Sequence, residues 1–315
     1  GWAEQKPNFY FDRLCECCRE LCARSNALLP DVIAMTITVI RDTVVCLDAN
    51  NEPLRDIILW LDKRTVDPNG AMPAKNMMLF KVAGMEPTAK VVYAASVGNW
   101  IMRHEPEIWA RTAKYVMLPT YLNYKLTGNL IDSASNQIGH IPFDYKNRRW
   151  MKPGSLTRCF CDVPNEKLCD LVPSGTVIGT ITDEVCALTG IPAGLPLIST
   201  GSDKGCETLG LAVVDSDKAS ISLGTTATIQ FSTTEYVEPQ QFLPAYPGVL
   251  NDHYNPEIEI YRGLWLLSWF VKEFGTADAI DAKEKGMAPE ALLDQRIRDH
   301  LITREISIGD YVLTG

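Results

Sequence analysis

No stretch of this chain approaches the ~20 consecutive apolar residues that a membrane span requires. The longest, such as Gly263 to Val271, fall far short. No basic-then-apolar segment opens the sequence as a secretion signal would, so a membrane is not expected as a partner. Histidine is scarce, with 4 in 315 residues. His104, His140, His253 and His300 share no spacing, and none is assigned a ligand role. G-x4-G-K-[ST] is missing, which excludes a P-loop kinase as written. No G-x-G-x-x-G follows a strand, which argues against a dinucleotide fold. Internal repeats and low-complexity tracts are also missing. Positive charge is in deficit: 30 Lys and Arg stand against 39 Asp and Glu, for a net charge of −9. So acidic a chain repels phosphate backbones at long range, and nucleic acid is not expected as a partner. A local phosphate site stays open, because backbone N–H groups cradle an anion without net positive charge.

What is present is ordinary for a globular protein: 46% apolar and 22% charged residues. At ~150 residues per domain the length suggests two domains. The 10 cysteines include a run at Cys15, Cys17, Cys18 and Cys22 and a pair at Cys159 and Cys161. Neither spacing is the C-x2-C of structural zinc. Leu14, Cys18, Leu21 and Cys22 instead fall on one stripe of a helix. Reduced thiols, and hence a cytoplasmic location, are expected. The chain opens at Gly1 and stops at Thr314-Gly315, directly after Tyr311-Val312-Leu313. Neither end reads like a natural terminus, so a processed product or a fragment is expected.

Along the chain, helix and strand signals mix as in an α/β protein. A helix is predicted over Asn8 to Ala27, then strands over Val32 to Ile40 and Thr43 to Leu47, with Arg41-Asp42 at the corner between them. Ile57 to Trp60 reads as a third strand. Thr88 caps a helix reaching Arg103, Pro106 opens another, and Thr120 to Thr127 forms a third, closed by Gly128. Gly175 to Ile181 is a strand, and Thr182 to Thr189 a helix stopped by Gly190. Leu195 to Thr200 is a buried strand, and Gly201-Ser202-Asp203-Lys204-Gly205 turns from it into a helix over Cys206 to Val213. Strand, turn and strand follow at Ala219 to Leu223, Gly224-Thr225-Thr226 and Ala227 to Ser232. Tyr261 to Phe274 is a helix. The polar stretch Val214 to Lys218 marks the domain boundary.

Three motifs bear on chemistry. Asp203 follows a buried strand and opens a helix, where a carboxylate can serve as a base towards a substrate hydroxyl; it can equally cap that helix. Arg41 and Asp42 offer donors and acceptors to vicinal hydroxyls, and Trp60 an aromatic face to a polyol; a surface ion pair at a hairpin tip reads the same way. Gly224-Thr225-Thr226 has the backbone freedom and hydroxyls of a phosphate-binding turn, or of any hairpin turn. Asp62-Lys63-Arg64 reads as a solvated charge run.

In this order, the pieces resemble the FGGY family of carbohydrate kinases, from Gly1-Trp2-Ala3-Glu4-Gln5 to about Trp269. The specific stretches are Ile37 to Asp48, Leu59 to Arg64, Tyr121 to Gly128 with Asp132, Pro196 to Gly210, and Ser222 to Thr226. The resemblance implies an α/β, actin/hexokinase-like (ribonuclease H-like) two-domain fold. The first domain would occupy residues 1–213 and the beginning of a second, ATP-binding domain residues 214–315. It implies transfer of the ATP γ-phosphoryl group to a hydroxyl of a sugar or polyol, a ketopentose such as xylulose or a short polyol, with Mg²⁺. By position Asp203 matches the family's base, Arg41, Asp42 and Trp60 its substrate contacts, and Gly224, Thr225 and Thr226 its phosphate-binding turn. Ser133 stands where the glycerol branch carries a substrate-facing tyrosine. Family members also begin with a glycine-rich hairpin, bearing a metal-binding Asp, ahead of the point where this chain starts. The contrasting expectation is a sugar-binding relic without catalysis. Homodimers are common in the family by the same resemblance.

Overall fold

The computed structural model describes residues 2–223, 226–260 and 263–301. They fall into two compact units: Gly1–Ser220 with Gln230–Glu257, and Ile221–Ile229 with Ile258–Gly315.

The first unit is built around two sheets. One orders Glu4–Gln5, Ile57–Ile58, Val44–Leu47 and Lys114–Met117, each strand antiparallel to its neighbour. The run Val44-Val45-Cys46-Leu47 is buried throughout because both faces of its strand are covered. Val45 and Leu47 enter one apolar cluster, with Leu118, Leu126 and Leu197, while Val44 and Cys46 enter another, with Trp100, Ile101 and Phe143. The period of two therefore holds this strand between two layers. Each fully buried aliphatic side chain contributes about 1.5–3 kcal/mol. The other sheet orders Val177–Thr180, Pro196–Ile198 and Met35–Thr36, the last two parallel with Leu197 opposite Met35.

Glycine and threonine punctuation is legible in the helices. Leu118–Thr127 ends at Gly128 and Asp183–Thr189 at Gly190, both left-handed (φ 80° and 78°), and Thr182 accepts the Val185 N–H at the second helix's start. Elsewhere tertiary packing overrides local pattern. The strand predicted over Val32 to Ile40 shrinks to Met35–Thr36, preceded by a 3₁₀ turn over Asn26–Asp31. The helix expected from Thr88 to Arg103 is two, Glu86–Ala95 and Val97–His104, broken at Ser96, whose hydroxyl accepts the Asn99 N–H. The first helix, Pro7–Arg24, buries Phe11, Cys15 and Cys22, whereas Leu21, read as part of its stripe, is 63% exposed. Asp62 and Arg64 are not a solvated run: Arg64 bonds Asp62 and Glu4 at 2.8 Å and its guanidinium lies against the rings of Trp2 and Trp100.

In the second unit the described helices are Leu264–Glu273, Thr276–Glu284 and Pro289–Leu301. Ala282 and Leu292 are buried among them, Arg296 pairs with Asp278 and Asp281, and Ser268 donates to Glu290 at 3.1 Å. No described helix is long and apolar enough to cross a membrane.

Candidate functional site

The site gathers within the first unit, at two turns of the chain. At the corner before Val44, Asp42 takes a left-handed backbone (φ 49°), unusual for a residue with a Cβ. Its N–H donates to the Ile138 carbonyl at 3.0 Å. Its Oδ1 accepts the His140 N–H at 2.9 Å and its Oδ2 lies 2.6 Å from His140 Nδ1. A carboxylate only accepts, so Nδ1 carries the proton and donates. Gly139 makes this approach possible: a Cβ there would stand 2.3 Å from Asp42 Oδ1, and its φ is +153°. Burial opposes ionisation of Asp42, but the His140 charge and hydrogen bonds outweigh it and bring its pKa below the ordinary carboxylate range. Burial likewise opposes protonation of His140, and the Asp42 carboxylate outweighs it, raising the imidazole pKa.

Arg41 faces a different set. Its two terminal nitrogens donate to Glu257 at 3.1 and 3.0 Å, a bidentate pair with both side chains largely buried. Glu257 also accepts from the amide of Gln230, whose carbonyl takes the Thr208 hydroxyl at 2.6 Å. The Arg41 guanidinium lies 5.5 Å from the centroid of Tyr246, and Tyr246 packs edge-on against Tyr145 at 5.5 Å. Tyr145 is fixed in turn by Gly139, donating to its carbonyl at 3.0 Å and accepting its N–H at 3.2 Å.

The second turn follows Pro196–Ile198. Here Ser202, not Asp203, caps the helix Asp203–Gly210, its hydroxyl accepting the Gly205 N–H. Asp203 is thereby freed as the first helical residue. The turn is held from behind: Ser202 N–H donates to the Ser135 carbonyl at 3.2 Å, and the Ser135 hydroxyl to the Gly248 carbonyl at 2.6 Å. Ser133, wholly buried, donates to the Thr200 carbonyl. Asp203 Oδ1 is buried without a hydrogen-bond partner, 3.6 Å from Arg41 Nε. Burial raises the Asp203 pKa, with Arg41 opposing it. The Asp203 side chain is a third exposed, and a carboxylate so placed can take a proton from an incoming hydroxyl.

The structure thus brings Arg41, Asp42 and Asp203 together, but not as an Arg41–Asp42 pair: Arg41 bonds Glu257, and Asp42 bonds His140. Trp60, in the turn after Ile57–Ile58, is 45% exposed. Thr226 is half-buried, while Gly224 and Thr225 lie outside the described residues. Sequence reasoning passed over His140, Glu257, Tyr145 and Tyr246. The first two stand 98 and 216 positions from their partners, so no local spacing marks them.

A guanidinium and a carboxylate thus meet at the end of a parallel strand, the place at which open α/β sheets bind small ligands. Residues 1–210 match the model of the FGGY family of carbohydrate kinases, N-terminal domain. The chain belongs to this family. It is 26% identical over 295 residues to an uncharacterized sugar kinase of Escherichia coli, YgcE, covering 93% of this chain and 52% of that protein. It is 27% identical over 281 residues to the xylulose kinase of the same organism, covering 88% of this chain and 56% of the relative. Among solved structures, ligand-bound xylulose kinase from Lactobacillus acidophilus superposes with a TM-score of 0.69 at 20% identity, covering 93% of this chain and 57% of that one. The chain spans about half the length of the curated relatives it matches. The fold is the mixed α/β, actin/hexokinase-like fold of these kinases.

Proposed function

We propose that this chain is the sugar-binding part, with the beginning of the nucleotide-binding part, of an ATP-dependent carbohydrate kinase acting on a ketopentose such as xylulose or on a short polyol. In this reading residues 1–213 form the first domain and 214–315 open the second. The observation that carries it is Asp203: a buried, unpartnered Oδ1 set 3.6 Å from Arg41 Nε.

The chemistry follows from that geometry. The Asp203 carboxylate, whose side chain is a third exposed, accepts the proton of the acceptor hydroxyl as the hydroxyl oxygen attacks the γ-phosphorus of ATP in line. The bond from that phosphorus to the bridging oxygen breaks, and ADP leaves with the electron pair. Such base assistance is worth about 10²–10⁴-fold. Burial raises the Asp203 pKa, and the neighbouring Arg41 charge opposes that rise. Trp60 offers a ring to the apolar face of the sugar, and Gly224, Thr225 and Thr226 bind phosphate. Magnesium bound to the nucleotide would supply neutralisation of charge on the phosphates. The reaction takes place in the cytoplasm.

The test is a coupled phosphorylation assay with Mg·ATP over xylulose, ribulose, glycerol, erythritol and gluconate. It is run on the chain extended by its flanking coding sequence, with and without Asp203→Asn. Turnover of one acceptor, abolished by the substitution while acceptor binding persists, supports the reading. No turnover of any acceptor, or undiminished turnover in Asp203→Asn, overturns it.

A further inference from the structure

Both oxygens of Asp42 are occupied by a single residue, His140, through its backbone N–H and its Nδ1–H. Asp42 has little left to offer a ligand. The clamp has a second consequence. It fixes the imidazole in orientation and tautomer and leaves Nε2 as the ring atom with an unused hydrogen-bonding capacity. No described group bonds Nε2, and a third of the side chain is exposed. The clamp is built at some cost: a left-handed Asp42, and a glycine at 139 where any Cβ would collide with the carboxylate. A surface histidine needing only solvent would require neither. The Arg41–Asp42 peptide bond ties this imidazole to the guanidinium that faces Asp203.

We propose that His140 is a substrate-binding residue of the acceptor site, with Asp42 as its positioning residue, and that the pair selects a neutral polyhydroxylated acceptor over a sugar acid. The inference rests on the kinase reading above. Nε2 accepts a hydroxyl proton when the ring is neutral, and donates to a hydroxyl or carbonyl oxygen when it is protonated. The charges around it disfavour an anion. Arg41 and His140 face Glu257, Asp42 and Asp203, so the cluster stays net negative even with the imidazole protonated. Tyr145, packed beside it against Tyr246, is a neutral phenol, because burial lifts its pKa far above its ordinary value.

The experiment compares His140→Asn and His140→Gln in the extended kinase. An asparagine amide can reach the Nδ1 position and keep the Asp42 contact without offering anything at Nε2; a glutamine amide can reach the Nε2 position. Steady-state kinetics give the acceptor KM, the ATP KM and kcat, while acceptor-induced thermal shift gives binding apart from turnover. The expected result is an acceptor KM raised about 10- to 100-fold in His140→Asn. The ATP KM and the unliganded Tm should stay near wild type, and His140→Gln should recover part of the loss. Gluconate should bind at least 10-fold more weakly than the preferred neutral acceptor. An unchanged acceptor KM in both variants, a uniform loss of Tm without a selective KM effect, or preference for gluconate would overturn the inference. If wild type turns over an acceptor and Asp203→Asn does not, those failures leave the kinase reading standing. If wild type turns over nothing, it is the kinase reading that fails.

Discussion

The corner at Arg41-Asp42 and the turn at Ser202-Asp203 each place a carboxylate near one guanidinium, and they treat it in opposite ways. Asp42 is clamped by His140 on both oxygens, and its pKa falls below the ordinary range. Asp203 has a buried oxygen with no donor, and its pKa rises. Burial pushes both carboxylates the same way, so the difference lies in what each is given in return. A nearby imidazole with two hydrogen bonds overcomes desolvation; a guanidinium 3.6 Å away, itself committed to Glu257, does not. A carboxylate saturated with donors holds structure. One left short of donors, beside a cation, is poised to take a proton.

The largest effect should come from removing the open carboxylate. On the proposed kinase reading, Asp203→Asn in the extended chain is expected to lower kcat by about 10²–10⁴-fold with acceptor affinity nearly unchanged, as read by a coupled assay and direct binding. Asp42→Asn should do the reverse, weakening acceptor binding more than kcat. Next comes the shared cation. Glu257→Ala strips Arg41 of its bidentate partner and should cost about 3–5 kcal/mol in denaturant melts, because a buried charge is left behind. It should also lower the Asp203 pKa, since Arg41 is then free to turn to it.

A third carboxylate sharpens the comparison. Asp132 is wholly buried and receives Thr120, Ser133, Asn136 and Gln137 as donors, all of them neutral. Burial, the dominant influence, pushes its pKa up to about 6 despite those bonds. An acid with a raised folded pKa binds more protons folded than unfolded between pH ~4 and ~6, so stability falls as pH rises through that window. Asp132→Asn cannot titrate and should flatten this dependence by about 2 kcal/mol, measured as unfolding free energy at pH 4 and pH 7. The smallest effect is at the clamp's backbone. Gly139→Ala puts a Cβ 2.3 Å from Asp42 Oδ1 and should cost about 1–3 kcal/mol, with Asp42 moving back towards the ordinary carboxylate range.

Much of the frame was legible because it is local. Gly128 and Gly190 stop their helices in the left-handed conformation only a glycine adopts freely, while Thr182, read as the first helical residue, caps its helix instead. The apolar run at Val44 to Leu47 announces a buried strand. Arg41, Asp42 and Asp203 were legible as chemistry-bearing residues at strand ends. Their partners were not, since Glu257 and His140 are brought in by tertiary folding from far along the chain. The capping reading of Asp203 failed for a local reason: Ser202, one residue earlier, has the shorter hydroxyl side chain and takes the cap. The β-branched run from Val32 to Ile40 misled because Pro30 and the 3₁₀ turn around it absorb its start, and only Met35–Thr36 finds a partner strand.

The most direct test of the contrast is a carboxyl-carbon NMR titration of this chain labelled at aspartate, with Asp42→Asn and Asp203→Asn used to assign the two signals. The account predicts that Asp203 titrates above the ordinary aspartate range and Asp42 below it. Coincident midpoints, or the reverse order, would contradict it.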